Sequence, residues 1–183
     1  MAQTTILHHY VPSARPEDQA VTWAGLALIR ENPRWRVVDV AAYSDYSWAT
    51  ELEKLWDLPG SIVNVDQDIA IHPAHLQIFE TCPHDACVFA YYVNYANLPH
   101  RDPRPVHRVR VGDHEPHITE GEEWADIAGG GLYRLREPVR RLVTATPRVP
   151  HVTYRDQDWM LSVRLGVRWH VHWPAVAHHH FWL

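Results

Sequence analysis

The first 65 residues alternate between strand-like and helix-like segments, and nothing else in the sequence narrows the fold as much. Thr4 to Val11 is rich in β-branched and aromatic residues and ends at Pro12, so it reads as a strand running into a loop. Pro16, Glu17 and Asp18 suit a helix N-terminus, and the helix continues through Val21, Ala24, Leu26 and Leu28 to about Arg30, where Asn32-Pro33 stops it. Trp35 to Ala41 is a second strand and Tyr46 to Trp56 a second helix. Leu58-Pro59-Gly60 turns the chain into the short apolar run Ser61 to Val65. This order predicts an α/β fold with a mostly parallel central sheet flanked by helices and joined by right-handed crossovers.

The 183 residues fit a single domain, 1–183, and the 46% hydrophobic share allows a substantial core. A net charge of −5 offers no basic field for a phosphate backbone, so no nucleic-acid partner is expected. Cys82 and Cys87 are too few for a disulfide framework. Cys-x4-Cys without a second pair is a poor zinc pattern, so both read as core residues. No apolar run is long enough for a membrane span and the N-terminus lacks signal-peptide character, which leads to a cytoplasmic expectation. The 15 His and 9 Trp exceed what a core needs and suggest polar, aromatic-lined clefts.

Beyond residue 65, a helix is expected from Pro73 to Glu80 and a strand from Cys87 to Asn94, then a loop-rich stretch to Arg110. Gly129 to Gly131 would let backbone approach a ligand closely. Glu137 to Val143 and Asp158 to Leu165 are expected to be helical, and Val149 to Tyr154 and Val167 to Trp173 to be strands.

The main chemical candidate is Asp66-Gln67-Asp68. Residues i and i+2 of an extended segment point the same way, so two carboxylates can converge on one cation. Their place after a buried run puts them at the carboxyl end of a strand, where open parallel sheets bind ligands. Hard oxygen donors suit Mg2+ or Mn2+.

Val63-Asn64-Val65-Asp66-Gln67-Asp68 resembles the strand and DxD motif of GT-A glycosyltransferases, a Rossmann-related fold. Gly129-Gly130-Gly131 before Leu132-Tyr133-Arg134 resembles the family's acceptor-site glycine segment. Asp156-Gln157-Asp158 before Leu161-Ser162-Val163-Arg164-Leu165 resembles its Glu-Asp motif and helix, with Gln157 in place of Glu. Trp173-Pro174-Ala175-Val176-Ala177-His178 resembles a C-terminal segment that carries a histidine metal ligand. Arg36-Val37-Val38-Asp39 and Ser44-Asp45 resemble parts of the nucleotide-binding half, without the usual glycine near Asp45 and with a short spacing to Asp66. The compact chain is similar to GT2-like members of phage or actinobacterial type.

The resemblance implies a nucleotide-sugar-binding part over about 1–70 and an acceptor-binding, catalytic part over about 71–183. It implies a nucleotide-diphosphate sugar donor contacted by Tyr10, Val11, Asp39, Asp45 and Gln67, and a Mn2+ or Mg2+ ion held by Asp66, Asp68 and His178. A hydroxyl acceptor would sit at Gly129, Gly130 and Gly131, with Asp158 as the base of an inverting transfer. Arg134 and Arg164 become candidates for phosphate pairing.

Two other readings stay open. One is a metal-dependent hydrolase with Asp66, Asp68 and histidine ligands, although no compact His-Glu-x-x-His signature supports it. The other is a noncatalytic sugar-binding protein on the same scaffold. His170 and His172 alternate along a strand and face one side, which suits either metal ligation or a hydrogen-bonded surface pair.

Overall fold

A computed structural model describes residues 3–41, 58–92, 105, 107–129, 131–144 and 160–176 of the chain. Strand β1 (Thr4–Tyr10), helix α1 (Pro16–Arg30), β2 (Trp35–Ala41) and β3 (Ile62–Asp66) follow the expected order. Next come α2 (Pro73–Thr81), β4 (Ala86–Tyr91), the two-residue β5 (Trp124–Ala125), β6 (Leu132–Leu135) and α3 (Glu137–Thr144). A π-helical turn (Met160–Arg164) and β7 (Trp169–Val176) complete the order. The helix expected over 46–56 and the strand expected over 149–154 lie outside the described residues.

Local chemistry accounts for these elements. Every residue of β3 and of β4 is buried, and strands covered on both faces are built from near-continuous apolar runs such as Ala86–Tyr91. Pro16 occupies the first turn of α1 and Arg30 its last, where a cation complements the helix dipole. Histidines cap α2: the His72 ring accepts from the Ala74 amide at 3.2 Å and the His75 ring from the His72 amide at 3.1 Å. Two otherwise orphaned donors are satisfied in this way.

The strands form one seven-stranded sheet in the order β2-β1-β3-β6-β4-β7-β5. It is mixed, which corrects the mostly parallel expectation. β1 pairs parallel with β2 and β3, and β4 with β7, but β6 runs against both β3 and β4, and β5 against β7. Strands as short as β5 and β6 carry no usable periodicity, so their insertion could not be anticipated from alternation in the first half. Chaining these pairings shows that β1, β2, β3, β4 and β7 still share a direction, and their carboxyl ends lie along one edge.

Successive strand residues face opposite sides, and the core splits accordingly. Ile6, Val63, Val65 and Phe89 pack with Leu26, Ile29, Leu76 and Phe79 of α1 and α2. On the other face Leu7, Ile62, Val88, Tyr133, Trp169 and Val171 form a second cluster. No described helix is long and apolar enough to cross a membrane.

Candidate functional site

Asp66 is the last residue of β3, and the chain turns immediately after it. The Ile69 amide donates back to the Asp66 carbonyl at 3.2 Å. Asp68 therefore lies in a turn rather than in the extended segment expected from the sequence, and any convergence of the two carboxylates comes from that turn. Both residues are buried, at 9% and 7% exposure. The Asn64 amide donates to Asp66 Oδ1 at 3.1 Å, and His9 Nδ1, opposite Asp66 in the β1–β3 register, lies 3.7 Å from the same oxygen.

Helix α1 and the end of β1 hold this turn. Thr22 Oγ1 lies 2.5 Å from the Gln67 carbonyl and 2.9 Å from that of Ile69, within donating distance of both. Gly25 lets the helix close in, since a Cβ there would meet the Ile71 carbonyl oxygen at 1.9 Å. The Gln67 side chain accepts from the Val11 amide at 2.7 Å, and Gln19 donates to the Val11 carbonyl at 2.9 Å. Tyr10 packs edge-on to Trp23, with 5.5 Å between ring centroids. Tyr10, Val11 and Gln67 are thus brought together beside the acidic turn.

Asp39 stands on β2, one strand further out. Both its oxygens accept from Arg30 at 2.6 Å, and Oδ1 also faces His8 Nδ1 at 3.0 Å. Burial pulls the Asp39 carboxyl up, but the His8 hydrogen bond and the Arg30 charge outweigh it and hold the group below its ordinary range. Burial pushes His8 down and exceeds the opposing pull of Asp39.

The glycine segment reaches the same place. The Asp66 amide donates to the Gly131 carbonyl at 2.9 Å. Gly131 has no room for a side chain, because a Cβ would fall 2.9 Å from Ile69 Cδ1 and 3.0 Å from the Tyr91 ring. Gly129 donates to His107 Nδ1 at 3.1 Å, while His107 Nε2 faces the Phe89 carbonyl at 2.9 Å. Burial pushes His107 down to about 4. The neutral ring with its proton on Nε2 satisfies both contacts. Asp45, Gly130, Asp158 and His178 lie outside the described residues.

The turn carries two buried carboxylates, with His9 Nδ1 3.7 Å from one of them, and oxygen donors of this kind are what hard cations take. Among the described residues, the His, Cys, Asp and Glu side chains that gather closely enough to share one ion lie elsewhere.

A second cluster joins His170 and His172, whose alternation along a strand allows metal ligation, to Cys82 and Cys87, whose spacing marks them only as core residues. Cys82 caps the C-terminus of α2, Cys87 lies on β4, and His170 and His172 lie on β7. One ligand atom from each falls within 4.8 Å of all the others. Cys87 and His170 are directly paired across β4 and β7, a register that carries no sequence signal. Burial, reinforced by the Cys82 contact, pushes the Cys87 thiol up to about 12, and burial takes His172 down to about 4. Arg134 is engaged here: its guanidinium donates to Cys87 Sγ at 2.8 Å and to the His84 carbonyl. It is therefore turned away from the acidic turn where a phosphate contact was expected. A cleft of about 420 Å³ beside Arg34, Glu80, Arg134 and Arg136 opens near the starts of β1 and β3, at the end of the strands remote from Asp66.

No protein-family profile and no curated protein sequence matches the chain. Among solved structures, one described as CMP:2-keto-3-deoxy-manno-octonic acid synthetase complexed with CTP is similar over 96% of this chain and 90% of its own. Its sequence identity is 9% and the TM-score is 0.45, a loose likeness of overall layout.

Proposed function

We propose that this chain is a metal-dependent glycosyltransferase that binds a nucleotide-diphosphate sugar at the carboxyl ends of β1 and β3. The observation that carries the reading is the buried acidic turn, Asp66 to Asp68, fastened to the Val11 loop through Gln67 and to Gly131 through the Asp66 amide. Two carboxylates at the carboxyl end of a strand offer hard oxygen donors to a divalent cation, which in turn would bind the diphosphate oxygens of a donor.

Asp66 and Asp68 would hold Mn2+ or Mg2+, with His178 as a further ligand by its resemblance to the family's C-terminal histidine. When bound, such an ion supplies electrostatic stabilisation of the departing diphosphate. Tyr10 and Val11 would border the donor, while Asp39 and Asp45 retain the donor-binding roles that the resemblance gives them. Gly129, Gly130 and Gly131 would let the acceptor approach, and Asp158 would take the acceptor hydroxyl's proton as it attacks the anomeric carbon, giving inversion.

Calorimetry with manganese and a nucleoside diphosphate tests the metal half: Asp68→Ala should abolish manganese-dependent binding, and unchanged binding would sink the assignment. Screening uridine, guanosine and thymidine diphosphate sugars with manganese tests transfer. In that assay Asp158→Asn should retain donor binding and lose turnover.

A further inference from the structure

The four residues Cys82, Cys87, His170 and His172 come from three elements that share no local spacing, yet they meet on the face of the sheet covered by α2. Cys82 and Cys87 Sγ are 2.7 Å apart, and Cys82 Sγ is 3.6 Å from His170 Nδ1. His172 Nε2 is buried and has no hydrogen-bond partner among the described residues. A tetrahedral ion bonded at about 2.0 Å to nitrogen and about 2.3 Å to sulfur needs its ligand atoms roughly 3.3 to 3.8 Å apart. The widest separation, 4.8 Å, and the narrowest, 2.7 Å between the two sulfurs, fall on either side of that range, each by about 1 Å, so an ion would draw the histidines in and part the sulfurs.

The charge around the cluster points the same way. Arg134 is 2% exposed, and its described partners are the His84 carbonyl and Cys87 Sγ, neither of them a carboxylate. A buried guanidinium calls for a nearby anion. A metal-bound Cys87 thiolate is such an anion, and the Arg134 bond to it is the kind of outer contact that orients metal ligands. His84 and Trp124 close the outer side, with ring centroids 4.4 Å and 5.3 Å from His170.

We propose that Cys82, Cys87, His170 and His172 form a structural zinc site that ties the end of α2 to β4 and β7. Two thiolates and two imidazoles select zinc over hard cations, and four protein ligands leave no open position for a substrate. The site is independent of the acidic turn. Cys87 pairs with Arg134 and Arg134 with Val63, three residues before Asp66, and Val63 and Asp66 point to opposite faces.

The test uses the full chain, purified under reducing conditions without chelator, with metal measured by plasma mass spectrometry. About one zinc per chain is expected, falling at least tenfold in Cys82→Ser/Cys87→Ser and in His170→Asn/His172→Asn. In case those variants fold poorly, the wild-type chain stripped of metal is titrated with Co2+. Ligand-field bands of a tetrahedral ion together with a thiolate-to-cobalt charge-transfer band support the site. Octahedral cobalt without the charge-transfer band overturns it. So does metal content unchanged in the cysteine pair variant, or a Cys82–Cys87 disulfide in a metal-free chain.

Discussion

Gly131 shows how closely a single residue is fitted to the acidic turn. Its carbonyl accepts from the Asp66 amide, and its missing side chain leaves space that Ile69 and the Tyr91 ring fill. The Ile69 methyl can rotate aside, but Tyr91 is 5% exposed and its hydroxyl lies 3.4 Å from the Gly131 amide, so the ring has little freedom. Gly131→Ala should therefore behave as overpacking and cost about 1 to 3 kcal/mol. Because strain at this position pushes on the Asp66 bond, manganese-dependent nucleotide binding should weaken along with the denaturation midpoint. A variant with wild-type midpoint and wild-type binding would show that the close approach is unimportant.

At the level of elements, α1 acts as a clamp. Glycine inside a helix normally costs about 0.5 to 1 kcal/mol relative to alanine, so Gly25→Ala would be stabilising in an isolated helix. Here a methyl group would lie 1.9 Å from a backbone oxygen, and backbone cannot rotate away as a side chain can. The clash outweighs the propensity gain, and Gly25→Ala should lower stability. Thr22→Val keeps the shape but deletes the donor to Gln67 and Ile69, a loss of about 1 to 3 kcal/mol when buried acceptors are stranded. Urea midpoints for both variants check these signs, and a stabilised Gly25→Ala would refute the clamp.

The same element shows what the sequence makes readable. The span of α1 and the bounds of β2 follow from apolar patterning, Pro16 and the Asn32-Pro33 stop, all of which act locally. Thr22 and Gly25 carry no mark of their role, because their partners lie more than 40 residues away along the chain. Cys82 and Cys87 look like plain core residues in the sequence for the same reason. They are buried, but what distinguishes them is the pairing of Cys87 with His170 across two strands. Local patterning cannot report register between distant segments. The extended reading of Asp66 to Asp68 failed differently: a buried apolar strand and the first residues of a tight turn look alike until the hydrogen bond from Ile69 is known.

Across the whole molecule, the mixed sheet separates two polar clusters, one at the carboxyl ends of β1 and β3 and the other on the α2 face. His107 ties part of this frame together by bridging the Phe89 carbonyl on β4 and the Gly129 amide before β6. Its ring is completely buried, edge-on to Tyr91, and burial holds it down at about 4 against an ordinary 6.5. The unfolded chain therefore takes up this proton first as pH falls. Stability from His107 is fully present above 6.5, declines between 6.5 and about 4, and levels off below, where the folded chain is protonated too. A shift of this size corresponds to about 3 kcal/mol at most. Urea unfolding of the wild type and His107→Gln at pH 7 and pH 4.5 isolates the contribution, since carboxylates elsewhere titrate in both. The variant should be less stable at pH 7 and lose less on acidification. Parallel losses in the two proteins would mean that His107 does not set the acid response.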